Sequence, residues 1–185
     1  MFSEISLNIL DIVQNSVSAR ASLIEITVNI SNAEDTLTAV IKDNGCGMTE
    51  SELTKVVDPF YTTGNYKSVG LGVPFFKMAA ILSGGSFEIN SEKGRGTEIK
   101  AVFVLSSIDR MPLGDMTETI MSVIIANRNT DIVYSYTVDE KGFVFDTRQI
   151  RQIFGDIPSD TFEVNEFIQS FLYENTAEIN SGANY

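Results

Sequence analysis

The sequence predicts an α/β (α+β) sandwich, and three observations predict it. Apolar residues recur at helical spacing over residues 5–19, at Ile5, Ile9, Ile12, Val13 and Val17. The next two stretches, LIEITVNI at 23–30 and TLTAVIKD at 36–43, alternate and are rich in branched residues, as half-buried strands are. The order that continues is helix, loop, helix and two strands, which is not the strand–helix alternation of a Rossmann sheet.

Each element carries its own punctuation. The opening helix has a polar stripe, Asn8, Asp11, Asn15 and Ser18, opposite its apolar face. Residues 32–35 turn between the two strands. Thr49 followed by Glu52 is a capping box, opening a short helix that Asp58 and Pro59 end. A third helix spans 71–82, with Pro74 tolerated near its start and Gly84 and Gly85 stopping it. Residues 86–90 and 97–105 read as a hairpin around 92–96. After residue 105 the character changes. SSIDRMPLGDM is a turn-rich joint, 117–126 reads as a helix, and 132–138 with 143–146 as a hairpin turned at 140–142. Helices follow at 147–154 and 162–175, and the tail NSGANY reads as loose. The first 105 residues carry 12 acids and 8 bases, net −4; the last 80 carry 13 and 5, net −8. The chain divides into a core domain, 1–105, and a small acidic α+β module, 106–185.

Composition narrows the function. A chain of 185 residues buries one good core. No apolar run approaches the roughly 18–20 residues that span a bilayer, and MFSEISLN lacks a basic signal-peptide head. Cys46 is the single cysteine, so no intrachain disulfide forms and a cytoplasmic location is expected. A net charge of −12 works against nucleic-acid backbones. The chain contains no histidine, which excludes a His–metal cluster, a Ser–His–Asp triad and a phosphohistidine of its own. Any histidine chemistry must occur on a partner.

Four short stretches point to a nucleotide. In DIVQN, Asp11 and Asn15 stand one helical turn apart on one face. An Asn carboxamide suits Mg²⁺, which takes its other oxygens from water and phosphate. Asp11 could orient or deprotonate a metal-bound water, or take a proton from an attacking hydroxyl. A merely solvated stripe describes the pair equally well when it is taken alone. In DNGCGM, the DNG triplet is also a hairpin signal, but a capped helix follows it rather than an antiparallel strand. The two glycines bracketing Cys46 let backbone approach a flat ligand. Asp43 at the strand end can accept from the amino group of adenine and repels the carbonyl of guanine. In GLG, exposed N–H groups at a helix start favour phosphate. Lys67 is a candidate cation for the β- or γ-phosphate, with a solvated loop lysine as the alternative, and 62–69 has the composition of a lid. In GRGT, Gly94, Gly96 and Thr97 turn a hairpin, and Thr97 is a candidate base contact.

DIVQNSVSARAS, DNGCGM, DPFYTT, GLGVPFFK and GRGTEI resemble, in order and spacing, the N, G1, F, G2 and G3 boxes of the GHKL superfamily of gyrases, Hsp90 chaperones, histidine kinases and MutL. The match covers about residues 4–105. The resemblance implies the Bergerat fold, a mixed sheet with helices on one face, and ATP with Mg²⁺ as ligands. It makes Asn15 the Mg²⁺ ligand, Asp43 the adenine anchor, and Gly45, Gly47, Gly70 and Gly72 backbone contacts. Met48, Thr62, Lys67, Leu71 and Thr97 complete the nucleotide set. The whole chain is similar to small ATP-binding proteins of clostridial hydrogenase and NADH-dehydrogenase gene clusters. It departs from the hydrolysing branches in having Asp11 where they have Glu, and it lacks the histidine-bearing helices of sensor kinases. The leading expectation is phosphoryl transfer from ATP to a partner protein in trans, with Asp11 assisting. An ATP-driven switch, or a nucleotide sensor without turnover, is the alternative. The expected partner is a protein phosphoacceptor or a regulatory protein, with a homodimer as a further option and neither nucleic acid nor membrane.

Overall fold

A computed structural model describes residues 3–56, 71–155, 161–183 and 185. Helix α1 (Ile5–Ser18) opens the chain and buries Ile5, Ile9, Ile12 and Val13, the predicted apolar stripe. No side chain caps it. Its first two N–H groups instead donate to the carbonyls of Pro112 and Leu113, at 3.0 and 2.8 Å, so the joint after residue 105 does the capping. Strands β1 (Leu23–Ser31) and β2 (Thr36–Asp43) follow as an antiparallel hairpin. The short helix α2 (Glu50–Val56) starts at the predicted capping box: Thr49 N donates to Glu52 Oε2 at 2.8 Å and Glu52 N returns to Thr49 Oγ1 at 3.3 Å. Helix α3 (Gly72–Leu82) precedes β3 (Ser86–Glu92) and β4 (Gly96–Val104). Then come α4 (Met116–Ala126), β5 (Asp131–Val138), β6 (Lys141–Asp146), α5 (Thr147–Phe154) and α6 (Phe162–Asn180). Asp115, Asp146 and Thr161 cap α4, α5 and α6 through their side chains.

The six strands form one mixed sheet in the order β3-β4-β2-β1-β5-β6. Among the described residues, only the β1–β5 pair is parallel. The alternation read from sequence decides which face is covered. Ile24, Ile26, Val28 and Ile30 of β1 and Leu37, Ala39 and Ile41 of β2 are fully buried, while the residues between them are half-buried or exposed. Helices α1, α3, α4 and α6 lie against the buried face, α3 over β3 and β4 and α6 over β5 and β6. Phe76 of α3 meets Phe87 edge-on at 6.4 Å and Phe103 at 5.8 Å. The boundary at residue 105 falls between β4 and α4. The strands after it extend the sheet before it, and buried side chains from both stretches form one cluster.

Three details differ from the sequence reading. Helix α6 runs on to Asn180: Asn175 turns its amide back to Phe171 O rather than ending the helix, and the buried period Val164, Ile168, Leu172 continues to Ile179. The β5–β6 turn is made by Asp139 and Glu140, with Asp139 at φ +52. Aspartate tolerates that left-handed conformation, which leaves Lys141 and Gly142 to pair with Val138 and Thr137. The tail is tied down. Leu113 N donates to Tyr185 O at 2.8 Å, and Asn32 Nδ2 donates to Tyr185 Oη at 3.4 Å.

Candidate functional site

Asp43 closes the inward row of β2, after Leu37, Ala39 and Ile41, and is only 8% exposed. Two donors hold its carboxylate. Ser16 Oγ, from the last turn of α1, donates to Oδ2 at 2.7 Å, and Gly45 N donates to Oδ1 at 2.8 Å. Each oxygen keeps an unused lone pair. Across the sheet Asp43 is in register with Thr97 of β4, and Thr97 with Ser91 of β3. At this end of the sheet, three adjacent strands thus finish their apolar rows in polar side chains.

The loop after Asp43 is fastened at nearly every residue. Asn44 Oδ1 accepts from Ser22 N and Leu23 N, at 2.9 and 3.0 Å. Cys46 N donates to Ala19 O at 2.9 Å, and Gly94 N donates to Cys46 O at 2.8 Å. Met48 N donates to Ser91 Oγ at 2.9 Å, and the same hydroxyl lies 2.9 Å from Thr97 Oγ1 and 3.0 Å from Gly96 O. Gly47 has φ +59, and a Cβ there would stand 2.0 Å from the carbonyl oxygen of Glu92. The DNG triplet is therefore a loop rather than a hairpin, and Gly47 is required by both conformation and space.

These residues surround a pocket of about 250 Å³. Ile12, Ile41, Val73, Ile89 and Ile99 give it apolar walls, and Asn15, Asp43, Cys46, Gly47, Met48 and Thr97 give it polar and backbone edges. A flat ring with one N–H donor fits this lining: apolar walls take its faces and the free lone pairs of a buried carboxylate take the donor. Hollows of about 450 Å³ beside Tyr136 and Asn180, and of about 830 Å³ beside Asn32 and Ser181, lie elsewhere. Their lining acids, Asp115, Asp139 and Glu140, are exposed rather than set in apolar walls.

Asn15 is exposed at the pocket and its carboxamide makes no hydrogen bond among the described residues. Among the described residues, no group of three or more His, Cys, Asp or Glu side chains could cage a metal ion. A single neutral oxygen fits Mg²⁺ that keeps waters and phosphate oxygens as its other ligands. Asp11 stands one turn before Asn15 on α1, outside the pocket lining and half-buried, and burial raises its carboxyl pKa above the ordinary value of 3.8. Its Oδ2 faces the start of α3, where a Cβ on Gly72 would come within 2.0 Å of it. Leu71 precedes that helix with no side-chain cap. A carboxylate thus stands beside the helix end that the sequence reading gives to phosphate.

The structure therefore brings Asn15, Asp43, Gly47, Met48 and Thr97 to one pocket, sets Gly45 behind Asp43, and pairs Asp11 with Gly72. Thr62, Lys67 and Gly70, with the lid at 62–69, lie outside the described residues. Ser16 and Ser91 were not anticipated from the sequence, although Ser91 ends the inward row Phe87, Ile89 as Asp43 ends its own.

A profile of the histidine kinase-, DNA gyrase B- and HSP90-like ATPases matches residues 1–107. Sporulation kinase C of Bacillus subtilis is 29% identical over 98 residues, which are 53% of this chain and 23% of that protein. Sensor histidine kinase YvrG of the same organism is 30% identical over 93 residues, 48% of this chain and 16% of its own length. The chain spans less than a quarter of the length of the curated relatives it matches. The N-terminal domain of a DNA repair protein superposes with a TM-score of 0.54 at 13% identity, over 84% of this chain and 58% of that one. That likeness is one of fold.

Proposed function

The chain belongs to the histidine kinase-, DNA gyrase B- and HSP90-like ATPase family, and from that premise we propose that it is a cytoplasmic, Mg²⁺-dependent kinase acting on a partner protein in signal transduction. The observation that carries the nucleotide reading is the buried carboxylate of Asp43, held by Ser16 and Gly45 with lone pairs to spare between apolar walls. Asp43, Gly47, Met48 and Thr97 would hold the base. Asn15 would hold Mg²⁺, and Leu71, Gly72, Thr62, Lys67 and Gly70 the phosphates. Mg-ATP, when bound, supplies the phosphoryl group to be transferred. Asp11 takes the proton of the attacking group, and the burial that raises its pKa makes its carboxylate the stronger base. Residues 1–105 form the nucleotide-holding domain and residues 106–185 the module that meets the partner.

Transfer in trans is supported by two facts. The chain has no histidine, and proteins it resembles are named kinases. No described helix is long and apolar enough to cross a membrane. The test is incubation with γ-labelled ATP, Mg²⁺ and proteins that co-purify with the chain. Label on a second protein is expected; bound ATP with no label transferred rejects the kinase.

One observation favours a second reading, an ATP-driven switch. Helix α1, which carries Asp11 and Asn15, contacts both α3 and α4. A nucleotide that shifts α1 would therefore move the C-terminal stretch with it. Phosphate release without labelled protein, coupled to a nucleotide-dependent change in partner affinity, is the outcome that would select it.

A further inference from the structure

Ser16 lies on the buried side of α1, 3% exposed. Its hydroxyl has one proton and two acceptors in reach. Ile12 O, the carbonyl that mid-helix serines ordinarily take, is at 3.5 Å, and Asp43 Oδ2 is at 2.7 Å. The shorter bond is also the charge-assisted one, so it takes the proton. A hydroxyl that gave its proton to Ile12 would turn a lone pair on a carboxylate oxygen 2.7 Å away. The second carboxylate oxygen takes the N–H of Gly45 at 2.8 Å. Two donors from different elements, one on each oxygen, fix both the position and the plane of the group.

We infer that Ser16 is a specificity-determining residue that sets base choice through Asp43. It holds the carboxylate as a pure acceptor in one plane, so that the pocket takes a purine bearing an amino group there and turns away one bearing a carbonyl. Without the hydroxyl the carboxylate swings about Cβ–Cγ and opens a place for water between itself and the base. Water can donate to a guanine carbonyl as readily as it accepts from an adenine amino group. Loss of Ser16 therefore blunts discrimination more than it weakens binding. The inference rests on the reading of this pocket as an ATP site, and its test separates the two.

The full chain, with Mg²⁺, is titrated calorimetrically with ATP and with GTP as the unaltered protein, Ser16→Ala, Asp43→Asn and the double variant. Alanine is the better helix former, so α1 is not threatened, and melting temperatures check each fold. The unaltered chain should prefer ATP. Ser16→Ala should cut that preference about tenfold or more, as expected for loss of a hydrogen bond to a charged group. In the Asp43→Asn background, where Gly45 N still fixes the amide oxygen and no charged acceptor is left for Ser16 to hold, the same substitution should change the ratio far less. An unaltered chain that binds neither nucleotide, or both equally, overturns the ATP reading and this inference together. An ATP-preferring chain whose Ser16→Ala variant keeps the preference, or loses it equally with and without Asp43, overturns this inference alone.

Discussion

Replacing Asp43 by Asn changes the pocket at one atom, and the structure says which. Gly45 N is a fixed backbone donor 2.8 Å from Oδ1, whereas the Ser16 hydroxyl 2.7 Å from Oδ2 can turn from donor to acceptor. The amide therefore sets its oxygen toward Gly45 and its NH₂ toward Ser16. Both original contacts survive, the one to Ser16 with its polarity reversed, and the fold should persist with a melting temperature within a few degrees. The free lone pair of Oδ2, the one this reading gives to the base, becomes an N–H. An adenine amino group then meets a donor instead of an acceptor, which costs about 1–3 kcal/mol, or roughly 5–150-fold in affinity. A guanine carbonyl in the same place would gain a partner. Calorimetry with ATP and GTP in the presence of Mg²⁺ should show ATP weakened by that factor and the preference moved toward GTP. A folded Asp43→Asn protein that binds ATP within twofold of the parent refutes the assignment of this carboxylate to the base.

Other substitutions test the surrounding parts. Gly47→Ala places a methyl 2.0 Å from the Glu92 carbonyl at φ +59; it should cost about 1–3 kcal/mol in urea unfolding and lower ATP affinity at least about tenfold, and parental values in both would contradict the close approach. Ser91→Ala removes the hydroxyl that accepts from Met48 N and meets Thr97 Oγ1; about 1 kcal/mol of stability and a several-fold loss of nucleotide affinity are expected, against no change if the network is idle. Asp11→Asn should lower phosphoryl transfer about 10²–10⁴-fold while nucleotide binding stays near parental. Its stability has a definite sign. The Asp11 pKa is raised on folding, so the native state binds that proton more tightly and loses stability as pH rises upward from about 3.8. Asn removes that loss, and pH-dependent melting should find the variant no less stable than the parent at neutral pH; a variant destabilised there argues against burial as the cause.

Much of the fold was legible because period and punctuation agree. The stripe Ile5, Ile9, Ile12, Val13 gave α1, alternation gave β1 and β2, and the Thr49–Glu52 box gave the start of α2. The misplaced boundaries have identifiable causes. Asn175 looked like a stop and instead bonds back inside α6, and the polar tail hid a terminal tyrosine tied to Leu113 and Asn32. No local pattern announces either tie, because each joins residues far apart in sequence. The pocket shows the same division. Asp43 and Gly47 stand in a readable motif, whereas Ser16 and Ser91 contribute through a helix crossing and a strand register. A signal for the register was present: inward rows ending in Asp43, Thr97 and Ser91 put three polar groups at one end of neighbouring strands.

The most direct test of the ATP pocket is a map of backbone amide shifts on adding Mg-ATP to the isotopically labelled chain. The amides of Asp43, Gly45, Gly47, Met48 and Thr97 should move together and saturate with one affinity. Shifts confined to the hollow beside Tyr136 and Asn180, or none at all, would contradict the account.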